Sequence, residues 1–316
     1  MTLAFPSKAA CHLSYDFAMT TALATRLPTT SSLSPLLIAC LAATWLVWGS
    51  TYLAIKYALI SFPPYFQMGT RFLVAGGLLL AWMRWRGTPM PNRAEWRNAL
   101  ICGTLMLGGG MGGTAVAETS VGSGLVVAFI AVLPLMIALV NLCYGVRPGR
   151  LEAAGIAVGV VGVLMLTQGA SFQASTHGLI AVTVACVSWS VGSVLSQRSL
   201  PLAPGAMGFA SEMVCGGAVL LGLSVLTGEA PVWPPESIAV AAWVFLVVFG
   251  SLIAFNAYMV LLAQASAGLA SSYAFVNPVI AMLLGVAIAG ETVTGFEWSA
   301  VAVVLAGVVL LVVGRR

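Results

Sequence analysis

The chain repeats itself, and the repeat constrains its fold more than any single motif does. Ala131-Val132-Leu133-Pro134 has a counterpart in Phe275-Val276-Asn277-Pro278, and Gly124-Leu125 in Gly268-Leu269, both 144 residues further on. Gly49-Ser50 returns as Gly192-Ser193, an offset of 143, and Gly76-Gly77 as Gly216-Gly217, an offset of 140. Leu151-Glu152 with Gly162-Val163 returns as Phe296-Glu297 with Gly307-Val308, an offset of 145. Offsets this steady mark a duplication. Each unit holds five apolar segments, and an odd number of membrane crossings turns the second copy upside down. Inverted repeats recur in secondary transporters, where two copies rock about a shared central site.

The membrane reading follows from composition. Of 316 residues 60% are hydrophobic and 7% charged, against about 25% charged in a soluble domain. A crossing needs about 20 apolar residues. Ten such spans are predicted, at 36–59, 65–83, 98–117, 121–144, 151–168, 178–197, 205–226, 237–261, 268–289 and 295–314. Only Glu118-Thr119-Ser120 separates the third from the fourth. The expected fold is an all-α membrane protein of ten transmembrane helices in two inverted five-helix repeats. Its expected organisation is a tail at 1–34, a first repeat at 35–169 and a second at 177–316.

Basic residues orient the chain. Lys8, Arg26, Arg84, Arg86, Arg93, Arg97, Arg147, Arg150, Arg198, Arg315 and Arg316 all fall on one side of this topology. The opposite loops carry Glu118, Glu229, Glu236, Glu291 and His177 and no Lys or Arg. The positive-inside rule then puts both termini in the cytoplasm. The net charge of +4 comes from these loops and offers no patch for nucleic acid. Residues 1–34 read as a disordered cytoplasmic tail, because Asp16 and Pro28 break any signal-peptide pattern. Translation from Met19 is an alternative start. The six Cys form no pair motif and there are only two His, so neither a metal site nor a cofactor is expected.

Polar groups inside the spans are the candidates for chemistry, because an ionisable residue there is costly. Arg71 lies about seven residues into span 2, roughly 10 Å along the helix. Glu212 lies a similar distance into span 7 from the opposite face. Both are expected to face the central cavity, as an ion pair or as substrate contacts; the alternative is that each snorkels to its nearer interface. Glu118 closes span 3 as a further candidate or a solvated loop acid. Trp48 and Ser50 in span 1 and Trp189 in span 6 form a neutral set with Asn256, Tyr258, Tyr273 and Asn277 in spans 8 and 9. Rings with one polar handle suit aromatic or cationic ligands, or they serve packing between helices. Pro134 and Pro278 free backbone carbonyls and read as hinges, as do Gly110 and Gly112 in the run Gly108-Gly109-Gly110-Met111-Gly112-Gly113. Gly155-x-x-x-Gly159 reads as a helix-packing face.

These residues resemble a known family. Trp48-Gly49-Ser50-Thr51-Tyr52-Leu53, Arg71-Phe72-Leu73, Ala117-Glu118, Ser188-Trp189, Gly192-Ser193-Val194 and Glu212-Met213 are similar to the EamA branch of the drug/metabolite transporter superfamily. The more specific stretches are Gly250-Ser251-Leu252-Ile253-Ala254-Phe255-Asn256-Ala257-Tyr258-Met259, Ser272-Tyr273-Ala274-Phe275-Val276-Asn277-Pro278-Val279 and Gly290-Glu291-Thr292, and the likeness is to the YedA-like exporters within the branch. The resemblance implies two inverted EamA repeats, a central cavity, alternating access, and export of small drugs or metabolites across the bacterial inner membrane. Small multidrug relatives use an acid in their first helix to exchange protons for cations. Span 1 has no acid, so protons, if coupled, fall to Glu212 first and Glu118 second.

The expected partners are a small-molecule substrate, membrane lipid and protons as the candidate coupling ion, with no nucleic acid and with a monomer or a homodimer both open. A facilitator for amino acids or aromatic compounds, with Arg71 meeting a substrate carboxylate, is the second reading. A membrane enzyme or scaffold is a distant third, since no catalytic constellation is visible.

Overall fold

The computed structural model describes residues 34–121, 126, 129–167, 175–289 and 294–314. All of the expected tail but Ser34 therefore lies outside the described residues, as does Glu291. Helices carry the chain: α1 (Pro35–Ala58), α2 (Pro64–Trp85), α3 (Arg93–Ala117), α4 (Leu133–Leu142) and α5 (Arg150–Thr167) come first. They are followed by α6 (Thr176–Arg198), α7 (Ala206–Leu226), α8 (Ser237–Gln264), α9 (Tyr273–Ala289) and α10 (Gly295–Gly314). The bundle end where α1 begins is the tail end, and the opposite end the far end.

Local sequence sets the helix starts. Ser34 caps α1, its hydroxyl accepting the Leu37 amide at 3.2 Å with Pro35 in the first turn. Asn92 and Glu95 form a reciprocal capping box on α3 at 3.0 and 2.7 Å. The first turn of α2 is capped from across the bundle: the Glu229 carboxylate accepts the Tyr65 and Phe66 amides at 3.0 and 2.7 Å. A carboxylate there also meets the positive end of the helix dipole.

Six of the helices, α1, α2, α3, α6, α7 and α8, are long and apolar enough to cross a membrane. The exterior agrees with that. Leu46, Leu78, Val161, Ile180 and Val309 are 59%, 57%, 52%, 60% and 59% exposed, and large exposed apolar surfaces of this kind need lipid or protein to cover them. The apolar interior also encloses polar groups, with Gln67, Arg71, Ser193, Glu212, Ser251 and Asn277 all buried.

Helix contacts follow a two-fold exchange in which each helix swaps with the one five further on. α1 packs on α8 and α9, and α6 packs on α3 and α4; α2 packs on α8, and α7 on α3. Two pairs map onto themselves, α2 with α7 and α5 with α10, and these are the broadest packing faces. Both pairs are antiparallel: Gly69 abuts Leu221 while Gly76, about two turns later, abuts Met213. Likewise Gly155 abuts Leu311, and Gly162 abuts Val304. An antiparallel crossing between a helix and its own counterpart is the geometry that an inverted repeat demands. A Cβ on Gly76 would lie 2.8 Å from the Met213 Cβ and 2.9 Å from the Val214 nitrogen, so the backbones can approach this closely only without a side chain there.

The exchange extends to helix geometry. α3 widens into a π-helical stretch at Thr104–Gly112, and its counterpart α8 does so at Leu246–Phe255. Such stretches leave the ordinary hydrogen-bond ladder and cluster at functional sites.

Two expectations change, and a third, the helix-packing face on α5, is met within the chain. Span 4 is not one continuous helix: a turn at Ala131–Val132 precedes α4, because Pro134 has no amide to donate and its ring crowds the preceding turn. Pro134 thus sits in the first turn of α4 rather than in mid-span. Span 9 is likewise divided, into a short helix Ala267–Ala270 and α9, with Pro278 inside α9. The Gly155/Gly159 face packs within the chain, against α10 and Phe275 of α9.

Candidate functional site

Four aromatic side chains from four helices meet at the middle of the bundle. Trp48 of α1 lies 5.7 Å from Trp189 of α6, 5.1 Å from Tyr258 of α8 and 4.6 Å from Tyr273 of α9, centroid to centroid. Trp189 and Tyr258 are 5.3 Å apart, and Tyr258 and Tyr273 5.5 Å. Edge-to-face contacts of this kind suit the ring quadrupoles. The polar handles of Trp48, Trp189 and Tyr258 are all hydrogen-bonded. The Trp48 indole donates to the Gly250 carbonyl at 3.2 Å, inside the π-helical stretch of α8. The Trp189 indole donates to the Tyr258 hydroxyl at 3.2 Å, and that hydroxyl pairs with Ser193 at 3.0 Å.

A cavity of about 40 Å³ opens against these rings on their far-end side. Trp48, Trp189 and Tyr273 form its floor, with Thr51, Tyr52 and Ile55 of α1 and Gly110, Met111 and Thr114 of α3 on its walls. Ile130, Leu133, Ala185 and Cys186 complete the described lining, so both repeats contribute and no described lining side chain carries a charge. The volume is about that of a single water, far below the roughly 300–1,000 Å³ of a ligand pocket. The cavity is therefore too small for a drug-sized ligand in this structure. Gly110 is one reason: a Cβ there would stand 2.9 Å from the Trp189 ring, so glycine lets α6 lay its indole flat on α3. A Cβ on Gly112 would stand 2.7 Å from Leu220, so that glycine serves contact with α7.

The two intramembrane ions lie one layer behind the rings. Arg71 is 1% exposed and Glu212 0%, so neither snorkels to an interface. Neither lines the cavity. Arg71 donates from Nε to Ser251 Oγ at 2.7 Å, and its guanidinium stands 4.8 Å from the Phe72 ring centre. One of its terminal nitrogens and both Glu212 oxygens lack any hydrogen-bond partner, so the two residues do not pair with each other. A buried charge left unsatisfied is costly and marks a group poised for a proton, a water or a ligand.

Glu118 lies in the turn after α3 with both carboxylate oxygens buried and unpartnered. Burial pushes its carboxyl well above the usual carboxylate range, and exposed Lys56 pulls it the other way. The remaining candidates are dispersed. Ser50 donates to its own helix at Val47 (2.7 Å), and Asn256 to Leu252 (2.8 Å), leaving the Asn256 carbonyl oxygen without a partner. Asn277 reaches the Tyr52 hydroxyl at 3.5 Å, next to Pro278. Tyr52, Thr114 and Cys186 line the cavity without having stood among the sequence candidates. Gln67, 1% exposed with neither amide atom bonded, is a further buried polar group one turn before Arg71. Its position four residues before Arg71 was the available signal.

The EamA-like transporter family matches the chain twice, at residues 34–168 and 176–313. The uncharacterized inner membrane transporter YedA of Escherichia coli K12 is 39% identical over 280 residues, which are 88% of this chain and 91% of that protein. The protein PecM of Dickeya dadantii is 23% identical over 268 residues, 84% of this chain and 88% of that one. A WAT1-related chloroplastic protein of Arabidopsis thaliana is 27% identical over 281 residues, 84% of this chain and 66% of that one. A solved crystal structure superimposes with a TM-score of 0.73 over 90% of this chain and 99% of its own, and at 22% identity it shows the fold alone. The duplicated helices, the shared central site and these matches lead to one statement: the chain belongs to the EamA-like transporter family.

Proposed function

We propose that the protein is an inner-membrane secondary transporter that exports small drugs or metabolites by alternating access, with ten crossings and both termini cytoplasmic. The observation that carries the reading is the small, uncharged, aromatic cavity shared by the two repeats. It is too small for any such substrate, so loading requires the helices around it to part. Two inverted copies supply two ways of parting, one toward each face. The π-helical stretches of α3 and α8 and the break before α9 are the compliant segments. Rings without charged neighbours favour an amphipathic aromatic compound or an organic cation held on ring faces. Glu212, buried with both carboxylate oxygens unpartnered, is the proton carrier in this reading.

The free nitrogen of Arg71 favours a second reading, a facilitator whose substrate carboxylate Arg71 meets when the cavity opens. Flux into proteoliposomes separates the two. With a panel of amino acids and quaternary ammonium compounds, the exporter reading expects proton-gradient-dependent cation flux that Glu212→Gln abolishes. Gradient-independent amino-acid flux, unchanged in Glu212→Gln, refutes it and leaves the facilitator.

A further inference from the structure

Outside the central site, an apolar groove of about 400 Å³ lies between α4 and α5. Leu135, Ala138, Leu139 and Leu142 form one wall. Their spacing of three, four and seven residues is one face of α4. Ala153, Ile156, Ala157 and Val160 repeat the same spacing on α5 as the other wall. The opposite face of α5, with Gly155, Gly159 and Gly162, is committed to α9 and α10. The groove is thus a second, outward-facing apolar surface. Leu135, Leu139 and Leu142 on it are 40%, 54% and 45% exposed.

At its tail end the groove runs through Pro148 into a second hollow of about 350 Å³, whose walls carry Arg147 and Arg198. The one carboxylate among its described lining residues, Glu152, accepts the Gly268 amide at 2.8 Å and offsets only one of the two arginines. Two exposed guanidiniums therefore set the charge of this hollow. The seven-residue rise from Leu135 to Leu142 is roughly 10 Å, and one leaflet of a bilayer core is about 15 Å deep. An apolar slot that covers about two thirds of that depth and ends at two cations suits one acyl chain below an anionic headgroup.

We infer that the α4/α5 groove binds an anionic phospholipid, one acyl chain between the helices and the phosphate at Arg147 and Arg198. The inference rests on α4 and α5 crossing the bilayer. Arg supplies planar, forked donors that match phosphate, and basic pockets beside transmembrane helices hold anionic headgroups. The apolar walls fix the position of the chain, and the arginines select the headgroup.

The test is native mass spectrometry of the purified full chain, exchanged with equimolar phosphatidylglycerol and phosphatidylcholine of matched chains. The expected result is retained phosphatidylglycerol in preference to phosphatidylcholine, with the preference falling about fivefold for each arginine removed, in Arg147→Gln and Arg198→Gln. In Ala153→Leu/Ala157→Leu, which fills the groove without touching the α10 side, retained lipid drops while both arginines remain. Equal retention of the two lipids by the wild type overturns the inference, as does a preference that neither variant alters. A dimer that the groove-filling variant dissociates overturns it in favour of a second copy of the chain. Labelling of Leu139→Cys by a water-soluble maleimide separates the failures. A labelled thiol removes α4 from the bilayer and with it the spanning reading, whereas an unlabelled thiol without lipid preference sinks the lipid site alone.

Discussion

Gly76 and Gly77 are neighbours in sequence, yet the structure assigns them opposite responses to the same substitution. At Gly76 an added Cβ would lie 2.8 Å from the Met213 Cβ, 2.9 Å from the Val214 nitrogen and 3.0 Å from the Ala210 carbonyl oxygen. Two of those atoms are backbone of α7, so α2 and α7 must move apart as whole helices. Overpacking of this kind costs about 1–3 kcal/mol. The gain from replacing glycine inside a helix is about 1 kcal/mol. Gly76→Ala is therefore expected to lose about 1–2 kcal/mol, in the upper part of what the difference allows, because backbone cannot rotate away. At Gly77 nothing stands within 4 Å of an added Cβ, so Gly77→Ala gains up to about 1 kcal/mol from propensity alone. The assay is reversible unfolding in mixed micelles, titrated with sodium dodecyl sulfate and followed by circular dichroism. Shifts of the same sign and size for the two variants would refute the antiparallel α2/α7 crossing on which the two-fold arrangement stands.

Three further outcomes follow from the site. Trp189→Phe keeps a ring on Trp48 but removes the donor to Tyr258, so KM for an aromatic cation should rise by less than tenfold, about one net hydrogen bond, while Trp189→Ala loses measurable flux. Ser251→Ala leaves Arg71 Nε without its acceptor and should cost about 1.5–3 kcal/mol in the same unfolding titration; no change would mean that the guanidinium finds water instead. Glu118 has a folded-state pKa raised by burial. Its contribution to stability is therefore full below the unfolded carboxylate value of about 4.3 and is lost as pH rises through the folded value. Glu118→Gln should flatten that decline in a pH series of thermal midpoints and raise the midpoint at alkaline pH, and a wild-type profile that rises over this window would contradict the burial.

The duplication and the apolar spans were legible in sequence because they depend on composition and spacing alone. The aromatic set was legible too: Trp48, Trp189, Tyr258 and Tyr273 stand in mid-span, where an interface anchor has no use, and they converge. What the sequence could not give was helix phase. In a soluble protein the apolar face of a helix points inward, but lipid is as apolar as a leucine core. A helix such as α2 therefore does not announce that Arg71 points behind the cavity rather than into it. For the same reason Thr114 and Cys186 carried no mark as lining residues. The π-helical stretches were half visible. The glycine run at 108–113 signalled a weak helix, whereas Leu246–Phe255 has one glycine and widens beside Arg71 and Trp48, contacts set by other helices. The break before α4 was within reach of Pro134, but a proline in a membrane helix is often tolerated as a kink.

The central claim is that the aromatic layer separates two approaches that open in turn. Single cysteines placed on either side of it, Thr114→Cys toward the far end and Ser193→Cys toward the tail end, test that most directly in a chain without other cysteines. Membrane-impermeant maleimide is applied from each face, with and without saturating substrate. The account predicts that each cysteine reacts from one face only, and that any condition raising one rate lowers the other. Simultaneous reaction of both cysteines, or rates that rise and fall together, would contradict alternating access through this site.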